Sequence, residues 1–258
     1  MKNSETLRNV EMLPLYEEMR REYTPRQLGF LETVEKLADE ELSFVRVGDG
    51  ELKMALDLTI NLEFQKNSVH LQRDLIGAIK ESRDHEGVLF GSPHFYRGPH
   101  WSAVWSRIWP EFKELIEPAR VMGNAHVTRP IYFDVTEQEG VEAWRRVWDK
   151  KNVTIITGKN SRFELTPELF DNLASAERID SVDKHAYKDI PRLLTLVDAA
   201  KETDLFLVAL GPAGTILTAE IAKRGRRAVD VGHISSSYAT SFKGAKRPEQ
   251  TEFSRPAK

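Results

Sequence analysis

Cysteine is absent from the sequence. That excludes disulfides, a thiolate nucleophile and cysteine-ligated zinc, and it fits a reducing compartment. Long apolar runs are also missing. No stretch approaches the roughly 20 residues of a membrane span. The opening segment, MKNSETLRNVEMLPLYEEMRREY, holds no apolar run of signal-peptide length, so the expected location is the cytoplasm. Nor is there an excess of one charge. The formal net charge is −3, which argues against a polyelectrolyte partner such as nucleic acid. What remains is a chain of 258 residues, 40% hydrophobic and 30% charged. That suffices for one large α/β domain with a packed core, or for two small ones.

Strand and helix patterns alternate along the chain. An amphipathic helix is expected from Glu5 to about Glu22, interrupted near Pro14 and lying on the domain's own core. A second starts at Thr24-Pro25 and runs to about Glu41. Short apolar strands follow at Phe44–Val47, Val88–Gly91, Val153–Gly158 and Leu205–Leu210, with a weak one over Arg120–Asn124, a short one near Ile179 and a final one over Arg227–Val231. Helices are expected over Leu52–Leu58, from Ser68, from Pro99, over Gly140–Lys150, from Pro167, from Pro191, and from the Gly211 loop to Gly225. Trp101, Trp105 and Trp109 recur at four-residue steps and read as core packing. The alternation implies an α/β fold with a mostly parallel sheet and helices on both faces. Residues 1–42 read as N-terminal helices packed on the core and 43–242 as the main domain. Residues 243–258 are basic and poor in large apolar residues, and read as a mobile tail.

The chain is organised around Ser43–Glu51, SFVRVGDGE. A short buried strand ends in Gly48 and Gly50, which free the backbone to turn or to approach a ligand. The carboxylates Asp49 and Glu51 then stand two apart, and a turn at Gly50 would aim both at one point. A Gly-flanked Asp-x-Glu mounts a hard divalent cation. Arg46 adds a forked donor for phosphate or carboxylate. The same residues also make an ordinary Gly-Asp-Gly turn, with Glu51 favouring a helix N-terminus. Other strands end in small or polar loops: Asn124–Arg129, Gly158–Arg162, Asp183–His185, Gly211–Thr215 and His233. In a parallel sheet these ends gather on one edge, where carboxylates, cations and N–H groups suit a metal-bound diphosphate. The Gly211 loop lacks a P-loop lysine, and Gly48-x-Gly50 lacks the third glycine of a dinucleotide site, since Lys53 stands there. A loop for S-adenosylmethionine stays open as an alternative.

Four segments in order carry a family resemblance: Arg46-Val47-Gly48-Asp49-Gly50-Glu51, Thr128-Arg129-Pro130, Ala209-Leu210-Gly211-Pro212-Ala213-Gly214-Thr215 and Asp230-Val231-Gly232-His233-Ile234. From about Ser43 to Tyr238 the chain resembles the glycosyltransferases of the GT-D fold. The resemblance implies a Rossmann-like domain that binds a UDP-sugar, with Mn²⁺ or Mg²⁺ at Asp49 and Glu51. Two departures stand out. Val47 replaces a Phe, and Ser235–Thr240 replaces an acidic and aromatic run that bears on acceptor choice or on activity.

The expected reaction moves a sugar from the UDP-sugar to a hydroxyl acceptor on a carbohydrate or glycoconjugate. Asp49, Glu51 and Asp183 are the candidate catalytic residues. The candidate donor contacts are Arg46, Gly48, Gly50, Asn124, Thr128, Arg129, Gly158, Ser161, Arg162, Lys184, Gly211, Pro212, Thr215 and His233. Arg162 and Lys184 read equally as solvated charges, and His233 as a structural histidine; Arg129 also reads as the partner of a nearby acid, but the resemblance covers it and favours a functional role. Asp183, His185 and Glu164 are the candidate bases, and the residues do not choose among them. A methyltransferase, or a nucleotide-sugar binder without turnover, is the alternative.

Overall fold

Leu205–Ala209 is the most apolar strand of the chain, and it lies inside a sheet with both faces covered. The computed structural model describes residues 13–94, 99–117, 119 and 121–250, with the backbone alone for 99–103. Among the described residues the strands are β1 (Ser43–Arg46), β2 (Val88–Ser92), β3 (Gly123–Asn124), β4 (Asn152–Gly158), β5 (Ser175–Ser181), β6 (Leu205–Ala209) and β7 (Ala228–Asp230). They form one sheet in the order β3-β2-β1-β7-β6-β4-β5. Every pairing is parallel. This is the α/β fold the alternation implies.

Successive strand residues point to opposite faces, and each face has its own core. Val45, Ile156, Phe206 and Val208 enter one core. Phe44, Ile155, Leu205 and Leu207 enter the other. Helices α1 (Leu13–Tyr23), α3 (Asp49–Leu56), α4 (Val69–Asp84), α5 (Pro99–Ile116), α8 (Ile190–Ala199) and α9 (Pro212–Lys223) cover the first face. Helices α2 (Phe30–Asp39), α6 (Pro130–Trp148), α7 (Pro167–Phe170) and α10 (Ile234–Lys243) cover the second. Trp105 and Trp109 are fully buried in the first core, as their spacing predicts. The Trp101 side chain lies outside the described residues.

Several boundaries differ from the sequence expectation, each for a tertiary reason. The helix expected from Thr24 to Glu41 breaks. Thr24–Arg26 is a 3₁₀ turn, Leu28 N donates to Met122 O at 2.8 Å, and Met122 N donates to Arg26 O at 2.8 Å. Gln27 Nε2 is held by Ser92 O and Pro93 O. The chain re-enters helix only at Phe30, where Glu32 reaches back to Gly29 N. Helix α6 starts at Pro130, not Gly140, and is kinked at Glu137, whose φ is +49°. Helix α7 is four residues long. Strand β5 is an edge strand with a mostly exposed, charged sequence, so the apolar alternation that marks strands is missing there. The start of the N-terminal helix, and residues 251–258 of the basic tail, lie outside the described residues. Within them, 244–250 is held to the domain. Ala245 N donates to Ala239 O, and Thr240 Oγ1 donates to Lys246 O.

The carboxyl ends of the strands set up the site. The helices after β1, α3 and α4, pack on the first face, whereas the helix after β7, α10, packs on the second. Adjacent strands whose following segments leave in opposite directions open a crevice between them.

Trp148 shows how the second core is held. It stacks on Trp144 at 5.4 Å and on Phe170 at 4.8 Å. Its Nε1 donates to Leu169 O at 2.8 Å. Trp148→Ala is expected to cost roughly 3–5 kcal/mol in urea unfolding; a loss under about 1 kcal/mol contradicts this packing role.

Candidate active site

The crevice between β1 and β7 opens into a cleft of about 900 Å³, solvent at its mouth included. Its floor is built from strand ends. Arg46 is the last residue of β1, and Asp230 the last of β7; both are buried. Arg46 Nε faces Asp230 Oδ1 at 3.5 Å, an ion-pair distance but long for a hydrogen bond. Asp230 Oδ1 also accepts from Gly232 N at 2.9 Å. Burial pushes the Asp230 carboxyl up to about 6, with Arg46 opposing the shift and Glu51 adding to it. Two glycines make room for this arrangement. A methyl group on Gly232, whose φ is +45°, would fall 2.5 Å from Arg46 Nη2. One on Gly48 would fall 2.8 Å from Glu51 Oε2.

The Asp-x-Glu element does not turn at Gly50. Helix α3 begins at Asp49, so Gly50 is already helical. Glu51, at the third helical position, reaches back to accept from Gly48 N at 3.0 Å, the capping-box pattern. It is buried and lines the cleft. Asp49 does not line the cleft; its carboxylate is half exposed and pairs with Lys53 at 3.0 Å. The two carboxylates therefore have separate partners in place of the common focus expected from a turn.

The other candidates divide in the same way. Gly158, Ser161, Arg162, Asp183, Gly211 and His233 line the cleft. Gly48, Gly50, Asn124, Thr128, Arg129, Lys184, Pro212 and Thr215 do not. Thr215 is fully buried and donates to Arg46 O at 2.9 Å, bracing the end of β1. Thr128 is also fully buried, and its carbonyl accepts from Ser237 Oγ at 2.9 Å. Asn124 ties the ends of β2 and β3. Its Oδ1 accepts from His126 N at 3.0 Å, and its Nδ2 meets His94 Nδ1 at 2.9 Å. The α9 N-terminus offers less to a phosphate than its sequence suggests. Pro212 has no N–H, and the N–H groups of Gly214 and Thr215 donate to Gly211 O.

Positive charge is concentrated at this edge. Arg129 lies at the start of α6, close enough to depress both His126 and His233. Burial first, then the charges of Arg129, Arg46 and Arg162, holds His233 well below the usual histidine range. His126 is depressed the same way by burial, Arg129, His94 and Arg46. Both imidazoles are thus neutral at pH 7, under the charge of Arg129 and Arg46.

Sequence reasoning missed several contributors. Phe64 and Gln65 form a wall of the cleft, carried on the loop between α3 and α4. This loop is clamped to the segment after β5. His185 N donates to Phe64 O at 2.8 Å, and Tyr187 N donates to Gln65 Oε1 at 3.2 Å. Phe64 lies over Gly211, where a methyl group would come within 2.7 Å of the ring. Asn160, Ser235 and Ser236 line the cleft as well, and these three fall in the Gly158–Arg162 loop and the Ser235–Thr240 run that the sequence singles out. The signal for Asp230 was present in the Asp-x-Gly-His-Ile segment; the loop wall had none.

A family model described as glycosyltransferase GT-D fold matches residues 44–253. The chain belongs to this glycosyltransferase family. Two curated relatives of the GT-D chain are named as such. One, Glycosyltransferase GlyD of Streptococcus pneumoniae serotype 4, is 27% identical over 230 residues, covering 84% of this chain and 28% of the relative. The other, Probable glycosyl transferase Gly of Streptococcus gordonii, is 25% identical over 234 residues, covering 85% and 34%. The chain thus spans about a third or less of the curated relatives it matches. A solved structure described as the highly conserved domain of unknown function 1792, with a distinct glycosyltransferase fold, superposes with a TM-score of 0.75. It is 25% identical and covers 85% of this chain and 82% of that one. A further structure, described as a new glycosyltransferase from Streptococcus sanguinis, has a TM-score of 0.76 at 24% identity, covering 85% of each chain. Membership of the GT-D family leaves the methyltransferase alternative without support. No helix among the described residues is long and apolar enough to cross a membrane.

The raised carboxyl of Asp230 makes stability depend on pH. Folded Asp230 takes its proton near pH 6 and unfolded Asp near pH 4, so its contribution is full below about 4 and is lost as pH rises through about 6. Asp230→Asn cannot titrate. Between pH 4 and pH 7 the wild type is expected to lose about 1–3 kcal/mol more stability than this variant. Parallel pH profiles of urea unfolding decide the matter.

Proposed function

We propose that this chain transfers a hexosyl group from a UDP-sugar to a hydroxyl acceptor on a carbohydrate or glycoconjugate, with Mn²⁺ or Mg²⁺ assisting. The observation that carries the reading is that Arg46, Arg162 and neutral His233 line one cleft at the carboxyl edge of the sheet, with the charge of Arg129 also felt at His233. An array of fixed cations beside a partly enclosed cleft suits a ligand whose charge lies in a diphosphate. Its charge grows as the sugar leaves, so donors already oriented stabilise the transition state more than the ground state. Arg46 is oriented in advance by Asp230 and by the close approach of Gly232. His233, being neutral, supplies a hydrogen bond without adding charge repulsion among the arginines.

The residues present fit a metal that arrives with the diphosphate better than one resident in the free protein. Among the described residues there is no cluster of three or more ligating side chains. Glu51 faces the cleft, and its Oε1 makes no hydrogen bond among them; Asp49 can join only by releasing Lys53. One or two carboxylates completed by substrate phosphates and water is the usual setting for Mg²⁺. When bound, the metal supplies Lewis-acid stabilisation of the departing diphosphate. On the acceptor side we place Asp183, which lines the cleft opposite β1. His185 is a weaker base candidate because its Nδ1 already accepts from Lys66 N. Glu164 does not line the cleft.

Calorimetric titration of UDP, with Mn²⁺ and with EDTA, tests this reading. Wild-type protein is expected to bind UDP at least about ten-fold more tightly with Mn²⁺, equivalent to about 1.4 kcal/mol. Glu51→Gln keeps the shape of the cap but is expected to lose most of that enhancement, leaving affinity in EDTA within about two-fold. Identical UDP affinity in wild type and variant, with and without metal, would remove the metal from the proposal. Absence of UDP binding in both would remove the nucleotide.

A further inference from the structure

Two of the three arginines at the site are already engaged by the same short piece of chain. After α10, residues 244–250 return across the carboxyl edge and end in a 3₁₀ turn, Pro248–Gln250. Glu249 forms an ion pair with Arg129. Pro248 O accepts from Arg162 Nη1 at 2.9 Å. The turn is braced internally, with Gln250 N donating to Arg247 O at 2.9 Å and Arg247 N donating to Gln250 Oε1 at 3.3 Å. It is tied to α10 through Thr240 Oγ1, which donates to Lys246 O at 3.1 Å. A carboxylate on one arginine and a carbonyl on the other is the kind of partner set that a diphosphate presents to such residues.

We infer that the segment 244–250 is an internal competitor for the anionic part of the donor, with Glu249 occupying Arg129 until a diphosphate displaces it. The inference rests on the proposed diphosphate site and deepens it. The strap is suited to exchange. The Glu249 side chain is 54% exposed, and that of Arg129 is 23% exposed. An ion pair so open to water is weak, so a ligand of higher charge replaces it at little cost. Satisfying Arg129 and Arg162 in the free protein also reduces mutual repulsion among the three arginines and keeps them in place. The same contacts make the strap a sensor of occupancy, because its anchoring on the arginines and the binding of a diphosphate exclude one another.

The test uses inorganic pyrophosphate and UDP separately, each titrated calorimetrically into the wild-type chain and into Glu249→Gln. Hydrogen exchange of the Ala245 and Gln250 amides is followed with and without pyrophosphate. The variant is expected to bind pyrophosphate about two- to five-fold more tightly, the range for loss of one exposed ion pair. Pyrophosphate is expected to accelerate exchange at both amides in the wild type. Equal or weaker pyrophosphate binding by the variant overturns the inference, as does no binding to either protein or an unchanged exchange rate. The two readings fail in different ways. If Glu249→Gln improves pyrophosphate binding but UDP binds no better than pyrophosphate, the strap stands and the nucleotide reading falls. If UDP binds well and equally to both proteins, the nucleotide reading stands and the strap falls.

Discussion

The ends of β1 and β7 are held together by one buried ion pair, Arg46 with Asp230, and the site is built outward from it. Taking both charges out of water costs nearly as much as their attraction returns, so the pair contributes little net stability. Its value is positional. Arg46 sits in one place because Gly232 lets it approach, Thr215 braces its carbonyl, and Asp230 holds its guanidinium. Glu51 is drawn into the same group as the cap of α3. A single crossing of the sheet's midline therefore joins the motif at residue 46 to the motif at residue 230.

Around this pair the charges are arranged so that only some groups change protonation near neutral pH. Asp230 titrates near pH 6 because burial outweighs the adjacent arginine. His233 moves the other way, with burial and three arginines both opposing a further positive charge. The edge thus stays cationic through guanidinium groups, which do not lose their protons. Such an edge attracts phosphate oxygen at any physiological pH, and in the free protein it is met partly by the chain's own acid and carbonyl.

The parts of the fold legible in the sequence were those decided locally. The apolar runs of β1, β4 and β6, the Ser68 cap and the buried tryptophans of α5 all appear where periodicity and capping place them. Strand β5 was legible only as a short strand near Ile179, because an edge strand covered on few sides needs no apolar pattern to mark its full length. The break at Gln27–Gly29 was hidden because it depends on Met122, far along the chain. In the site, Arg46, Glu51, Asp183, Gly211 and His233 could be read from their positions at strand ends. Asn124, Thr128 and Thr215 lie at this edge too, but the side chains of Asn124 and Thr215 serve backbone groups, and the Thr128 carbonyl accepts from the Ser237 hydroxyl. Phe64 and Glu249 reach the site from a loop and a tail whose local sequences carry no such signal.

The two margins of the sheet are unlike its interior. One ends in β3, of two residues. The other ends in β5, which carries Glu177, Arg178 and Asp180, with Arg178 and Asp180 paired at 2.6 Å. A margin that short, or that heavily charged, is a poor template for a strand from another molecule. The domain can therefore be crowded against copies of itself, or joined in series with other domains, without its sheet growing into theirs.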